Sequence, residues 1–381
     1  MGKFYIYPDP IQPCGVKGKN RANVSQRRWP GGFARLPPRI GTSKSGRVYI
    51  MSRLLRITAA TILMAAVPAL AADIDPAVVF DMGGKFDKSF NEGIYNGVEK
   101  FKKETGITYK EFEVTNETQR EQALRRMAQR GSNVVISVGF AQAEPLKKVA
   151  AEFPKTKFTI IDNEVNLPNV QSILFKEHEG SFLVGVLAGM ASKTGKVGFV
   201  GGMDIPLIRK FACGYEQGVK YARKDAEIFQ NMTGTTPAAW NDPTKGAELA
   251  KSQFDRGADV VYAAAGATGI GILQAAKDKG KLSIGVDSNQ NHLHPGSVLT
   301  SMLKRVDVAA YNALKGAKDG TWKPGLQNLG LAEGGVDWAL DDNNAKLVTP
   351  EMKAAVEKAK ADIVSGKIKV HDYMANNSCK I

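Results

Sequence analysis

Apolar and polar positions along this chain fall into two alternating rhythms. Short apolar runs over 77–80, 109–114, 134–138 and 158–162 read as strands. Between them, 90–105, 117–131 and 142–153 show the helical period, with Gly106 and Gly131 as stops. The rhythm restarts after Phe175, with helices over 180–193, 208–222, 243–257 and 269–280 and strands over 196–201, 227–232, 260–264 and 282–286. A strand over 298–303 and a helix over 308–316 follow. A long helix over 350–365 is entered through Thr349 as N-cap, with Pro350 at its first position and Glu351 in its first turn; Gly366 ends it. Strands alternating with helices predict an α/β fold of parallel sheets wound by right-handed crossovers. Two runs of similar size predict two lobes, 73–174 plus 298–328 and 175–297 plus 329–381. No Pro- or Ser-rich linker separates them, so several short hinge crossings are expected.

Charge changes the picture only once it is located. The formal net charge is +14, but residues 1–71 hold 12 Lys/Arg against the single acid Asp9. From Ala72 onward 40 basic residues face 37 acidic ones, so the folded body is close to neutral and gives no reason to propose nucleic-acid binding. The basic part contains a second possible start. Met51-Ser-Arg-Leu-Leu-Arg56 is a charged n-region, 57–67 an apolar h-region, and Pro68-Ala-Leu-Ala71 a cleavage site, which together make a secretory signal peptide. No Cys follows that site, so a lipid anchor is not expected. Residues 1–50 are Arg-, Pro- and Gly-rich with no hydrophobic period. They read as a disordered extension, or one not translated, with synthesis beginning at Met51. The exported part keeps two of the three cysteines, Cys213 and Cys379, and a bridge between them is an expectation whose reach depends on the fold. Four scattered histidines give metal binding no support.

Candidate chemistry gathers where predicted strands end. Asp81-Met-Gly-Gly-Lys-Phe-Asp-Lys-Ser-Phe-Asn91 joins a strand to a helix start, the place where α/β proteins bind ligands. Asp81 offers acceptors, Asn91 both donor and acceptor atoms, and Phe90 a flat apolar face, a kit that suits a planar hydrogen-bonding ligand better than a phosphate. The plainer reading makes Ser89 the helix cap and Phe90 a core residue. Asp162, Trp240, Asp287 and Lys304 also stand at strand ends or helix starts, and Phe90 and Trp240 come from different lobes. The plainer reading of Trp240 is likewise a core or cap residue. Gly266-Ala-Thr-Gly269-Ile-Gly271 has the wrong spacing for a dinucleotide fingerprint and reads better as a loop letting backbone N–H groups approach a ligand. No Walker motif, nucleophile elbow or HExxH motif is present, so a binder is favoured over an enzyme.

These blocks carry a resemblance. Asp81-x-Gly-x-x-x-Asp87-x-Ser89-Phe90-Asn91, Phe175-Lys-Glu-His-Glu179-Gly-Ser-Phe-Leu-Val-Gly185, residues 264–271 and Gly285-Val-Asp287-Ser-Asn-Gln290 resemble the basic membrane protein family, substrate-binding proteins of ABC importers, many of them for purine nucleosides. The resemblance covers nearly all of 77–345. It implies a type I periplasmic-binding fold with three hinge crossings, no enzymatic activity and no cofactor. It further implies a monomer in the periplasm that closes over a purine nucleoside and delivers it to permease subunits. Carried over by position, Phe90 would stack on one face of the base, with Asp81 and Asn91 at its edge. Trp240, where relatives commonly carry Phe, would take the other face. Asp287 and Lys304 would hold ribose hydroxyls, the Gly266–Gly269 loop would bring backbone close, and Asp162 is a weaker transfer. Many relatives are lipoproteins, and this chain lacks their Cys. A free nucleobase or riboflavin-like ligand is the nearest alternative; a nucleotide-dependent oxidoreductase is the alternative from another class.

Overall fold

The computed structural model describes residues 73–379. The basic extension over 1–50, Cys14 and the expected signal peptide over 51–71 lie outside the described residues. The first run builds β1 (Pro76–Phe80), α1 (Phe90–Thr105), β2 (Lys110–Glu113), α2 (Gln119–Gln129), β3 (Val134–Val138), α3 (Ala143–Glu152), β4 (Lys157–Ile161) and β5 (Val170–Phe175). The second builds α4 (Glu177–Ala191), β6 (Lys196–Met203), α5 (Pro206–Ala222), β7 (Glu227–Gly234), α6 (Pro243–Asp255), β8 (Val260–Ala264), α7 (Thr268–Asp278), β9 (Leu282–Asp287) and β10 (Val298–Lys304). The chain ends with α8 (Val306–Lys318), β11 (Gly325–Leu329), β12 (Val336–Trp338) and α9 (Pro350–Val364).

Two six-stranded sheets result, ordered β11-β5-β4-β3-β1-β2 and β12-β10-β9-β8-β6-β7. Every pairing is parallel except β10 with β12. Central strands such as β1, β3 and β8 are buried on both faces, which is why they read as continuous apolar runs instead of alternating ones. The chain crosses between sheets three times, after β5, β10 and β11. The crossings are tied side by side, Lys176 N–H donating to Leu329 O at 2.9 Å and Arg305 N–H to Gly335 O at 2.8 Å.

One expected boundary is corrected. The sequence pattern puts the segment from 298 in the first lobe, but β10 pairs with β9 in the second sheet, Ser301 opposite Gly285 and Leu303 opposite Asp287. The return to the first sheet comes only after Lys304, where α8 packs against α1. A doubly buried strand carries the same apolar signature in either lobe, so only pairing decides where it belongs. Three strands were also missed. β5 and β11 mix polar and apolar positions, β11 with an exposed edge, and β12 spans only Val336–Trp338. The C-terminal helix begins as its residues dictate, Thr349 Oγ1 accepting from Met352 N–H at 3.3 Å with Pro350 at the first position. Beyond it the chain is joined to α5 by a Cys213–Cys379 disulfide and by Gln217, which exchanges two hydrogen bonds with the His371 backbone, at 2.8 and 3.0 Å.

Candidate functional site

The site begins at the entry to α1. The buried Asp87 carboxylate accepts from the backbone N–H groups of Ser89 at 2.8 Å, Asn91 at 3.0 Å and Glu92 at 3.1 Å. A carboxylate is well placed there, because unpaired amides and the helix dipole both favour negative charge. Ser89, expected as the cap, makes no side-chain cap bond; its hydroxyl donates instead to Asp287 Oδ2 in the other lobe. Ser288 Oγ donates back to Ser89 O at 2.9 Å and Gln290 Nε2 to Lys88 O at 3.0 Å, so the loop before α1 is stitched to the loop after β9. Asn91 donates through Nδ2 to Asp87 Oδ2 at 3.2 Å, while its Oδ1 has no partner.

A cavity opens where the carboxyl ends of the two sheets face each other. The first lobe contributes Asp81, Phe90, Asn91 and Asp162 to its lining, and the second contributes Trp240, Gly266, Asp287 and Lys304. Gly269 is the one candidate not brought there. Its N–H donates to Gly266 O at 2.9 Å inside the first turn of α7, so the helix start itself consumes that backbone group. Asp162 and Asp287 both turn at positive φ, 76° and 62°, a conformation Asp adopts more readily than most residues with a side chain. The Trp240 ring packs closely on Gly202. A Cβ on Gly202 would stand 2.2 Å from its Cζ3, so only glycine leaves room for the ring.

Sequence reasoning missed Phe140, Leu207, Ile208 and Phe211, which supply much of the apolar wall. Phe140 follows the end of β3 and could have been found by the same strand-end rule as Asp162. Phe211 lies within α5, where nothing in the helical period distinguishes a cleft-facing aromatic from a core one.

Beneath the cavity runs a buried chain of charges. Lys304 Nζ lies 2.7 Å from Asp162 Oδ2 and 3.0 Å from Glu177 Oε1, and Lys210 Nζ lies 2.9 Å from Glu177 Oε2. Lys210 is buried in α5 and also donates to Phe175 O at 2.7 Å. Burial pushes the Glu177 carboxyl up, but the two lysines outweigh it and hold the group at about 2. Burial pushes Asp162 and Asp287 up to about 6 despite Lys304. Lys304 loses charge stability through burial and more than recovers it from these carboxylates, so its pKa is raised. Its ammonium also sits 5.1 Å from the centre of the Phe90 ring and 5.6 Å from that of Phe211, close enough for cation–π attraction. At the opposite wall, burial raises the Asp81 carboxyl against the pull of Arg120, whose Nε lies 3.0 Å from Oδ1. Among the described residues no cluster of His, Cys, Asp and Glu could hold a metal ion, and no helix is long and apolar enough to cross a membrane.

Comparison with known proteins agrees with this architecture. An uncharacterized lipoprotein of Pyrococcus abyssi is 38% identical over 288 residues, 71% of this chain and 70% of that protein. The ABC transporter nucleoside-binding protein BmpA of Lactococcus lactis is 32% identical over 323 residues, 78% of this chain and 89% of that one. The crystal structure of an ABC transporter solute-binding protein from Aeropyrum pernix K1 superposes with a TM-score of 0.72 at 31% identity, covering 78% of this chain and 93% of that one. The two lobes with three crossings are thus the type I periplasmic-binding fold shared with such receptors. Residues 74–373 match the family Bmp, described as ABC transporter substrate-binding protein PnrA-like. This chain therefore belongs to the Bmp family of ABC transporter substrate-binding proteins, solute receptors and not enzymes.

Proposed function

We propose that the protein is an exported receptor that closes over a purine nucleoside between its lobes and hands it to an ABC permease. The observation that carries this is the cavity itself. Phe90 and Trp240 reach it from opposite lobes, and carboxylates and an amide rim its apolar walls. Two aromatic faces suit a planar base, each stacking contact adding roughly 1 kcal/mol beyond burial. The unpartnered Asp162 Oδ1 and the third N–H of Lys304 suit ribose hydroxyls.

Charge argues against a phosphorylated ligand. Among the described lining residues Lys304 is the only cation, and it is already tied to two acids, while Asp81, Asp87, Asp162 and Asp287 supply four carboxylates. The name of the Lactococcus relative supports a nucleoside. A ligand contacting both lobes would favour the closed form by its differential affinity for it.

Isothermal titration with adenosine, guanosine, inosine, the free bases, ribose, riboflavin and a nucleoside monophosphate tests the reading. Tight nucleoside binding with weak responses to ribose and monophosphate is expected. Equal affinity for base and nucleoside favours a nucleobase receptor; binding of riboflavin or a sugar without any purine response overturns the proposal. We further infer export with cleavage near Ala71 and no lipid anchor, as a monomer in the periplasm. N-terminal sequencing of the secreted protein and its elution volume check both.

A further inference from the structure

Asp87 lines the cavity, and it also touches the Asn91 side chain at the proposed base edge. Its two oxygens accept three backbone N–H groups of the α1 entry, and Oδ2 also takes the Asn91 amide at 3.2 Å. Burial pushes this carboxyl up to about 6 while those donors pull it down, so at neutral pH it is ionised and can only accept. An ionised carboxylate facing an amide accepts from its nitrogen, which places Nδ2 against Asp87 and leaves Oδ1 on the other side. That Oδ1 is buried, lacks any protein partner, and belongs to a residue lining the cavity. The other edge residue, Asp81, has Oδ1 engaged by Arg120 and likewise offers the cavity acceptors.

We propose that Asp87 is a positioning residue that locks the Asn91 amide with its oxygen toward the ligand. The edge formed by Asn91 and Asp81 then selects purines carrying a ring N–H donor. Guanine presents N1–H beside its 2-amino group, and hypoxanthine presents N1–H. Adenine has a bare acceptor at N1, which would set acceptor against acceptor in a buried site and leave only its 6-amino group to donate. The inference deepens the nucleoside reading and rests on it.

The test compares guanosine, inosine and adenosine on the wild-type protein and on Asp87→Asn. The wild type is expected to bind guanosine and inosine at least about tenfold more tightly than adenosine, since a site built around hydrogen bonds rejects a ligand that leaves them unmade. In Asp87→Asn the introduced amide can donate, so the Asn91 amide is free to invert and the preference should fall to within about threefold. A purely structural cap would weaken all three nucleosides alike and keep the ratio. Equal wild-type affinities, or a ratio that survives in a folded Asp87→Asn, overturns the inference while leaving the nucleoside reading intact. If the variant does not fold, wild-type inosine against purine riboside decides, because the latter keeps ring and ribose and loses only the N1 donor and its neighbouring oxygen. Failure of every nucleoside to bind refutes the nucleoside reading itself, and this inference with it.

Discussion

Lys304 Nζ lies 2.7 Å from Asp162 Oδ2, and this buried ion pair fastens the end of β10 in the second lobe to the residue after β4 in the first. Lys304 thereby supports the hinge as well as lining the cleft. Lys304→Met would leave Asp162 and Glu177 buried without that partner. A loss of roughly 3–5 kcal/mol in urea unfolding at pH 7 is expected, the usual cost of breaking a buried pair from one side. The loss should shrink at pH 5, where Asp162 can take up a proton. A change below about 1 kcal/mol would show that water reaches the pair and that the burial argument is wrong.

The stacking walls are tested by truncation and by displacement. Phe90→Ala and Trp240→Ala should each cost roughly 1–3 kcal/mol of nucleoside affinity, as for other base–aromatic contacts. Both rings are only half-buried, so their removal should cost much less stability than deleting a core aromatic. Gly202→Ala keeps Trp240 but puts a methyl 2.2 Å from its Cζ3, so the ring must move. Titration of that variant should show an affinity loss comparable to Trp240→Ala. An unchanged affinity would place the ligand elsewhere.

Asp287 has a pH signature. Its carboxyl sits at about 6 in the fold against an ordinary 3.8, because burial disfavours its charge. The folded state thus holds the proton to higher pH than the unfolded chain. The stabilising contribution is complete below pH 3.8 and is withdrawn as pH rises through 6. Asp287→Asn, which can still accept from Ser89, removes that dependence. In unfolding experiments the variant should match the wild type near pH 4 and exceed it by up to about 3 kcal/mol at pH 7. The same variant should weaken nucleosides and spare free bases if Asp287 holds the ribose.

The disulfide closes a separation of 166 residues between α5 and the chain end. A paired Cys213→Ala, Cys379→Ala variant should lose roughly 2–4 kcal/mol of stability, and the reduced wild type should behave alike. Gln217 would still bond the His371 backbone, so ligand affinity should stay within about twofold if the tail only braces the second lobe. A large affinity loss would connect the tail to the cleft through Asp372, 3.8 Å from Lys210.

Local pattern determined most of the elements. Phe90–Thr105, Val134–Val138 and Val260–Ala264 fall where the periodicity put them, and Thr349 caps its helix as its chemistry requires. Strand ends were therefore readable, and Asp81, Asp162, Asp287 and Lys304 sit at such ends because the side chains that follow or finish a parallel strand emerge at one edge of its sheet. Tertiary structure decided what no period encodes. Pairing, not hydrophobicity, put β10 beside β9, and an interlobe partner, not local preference, took the Ser89 hydroxyl from its helix. Phe211 and Lys210 read as ordinary positions of one helix. Burial between lobes makes one a cavity wall and the other a counter-charge to Glu177, since long-range packing determines what each side chain meets.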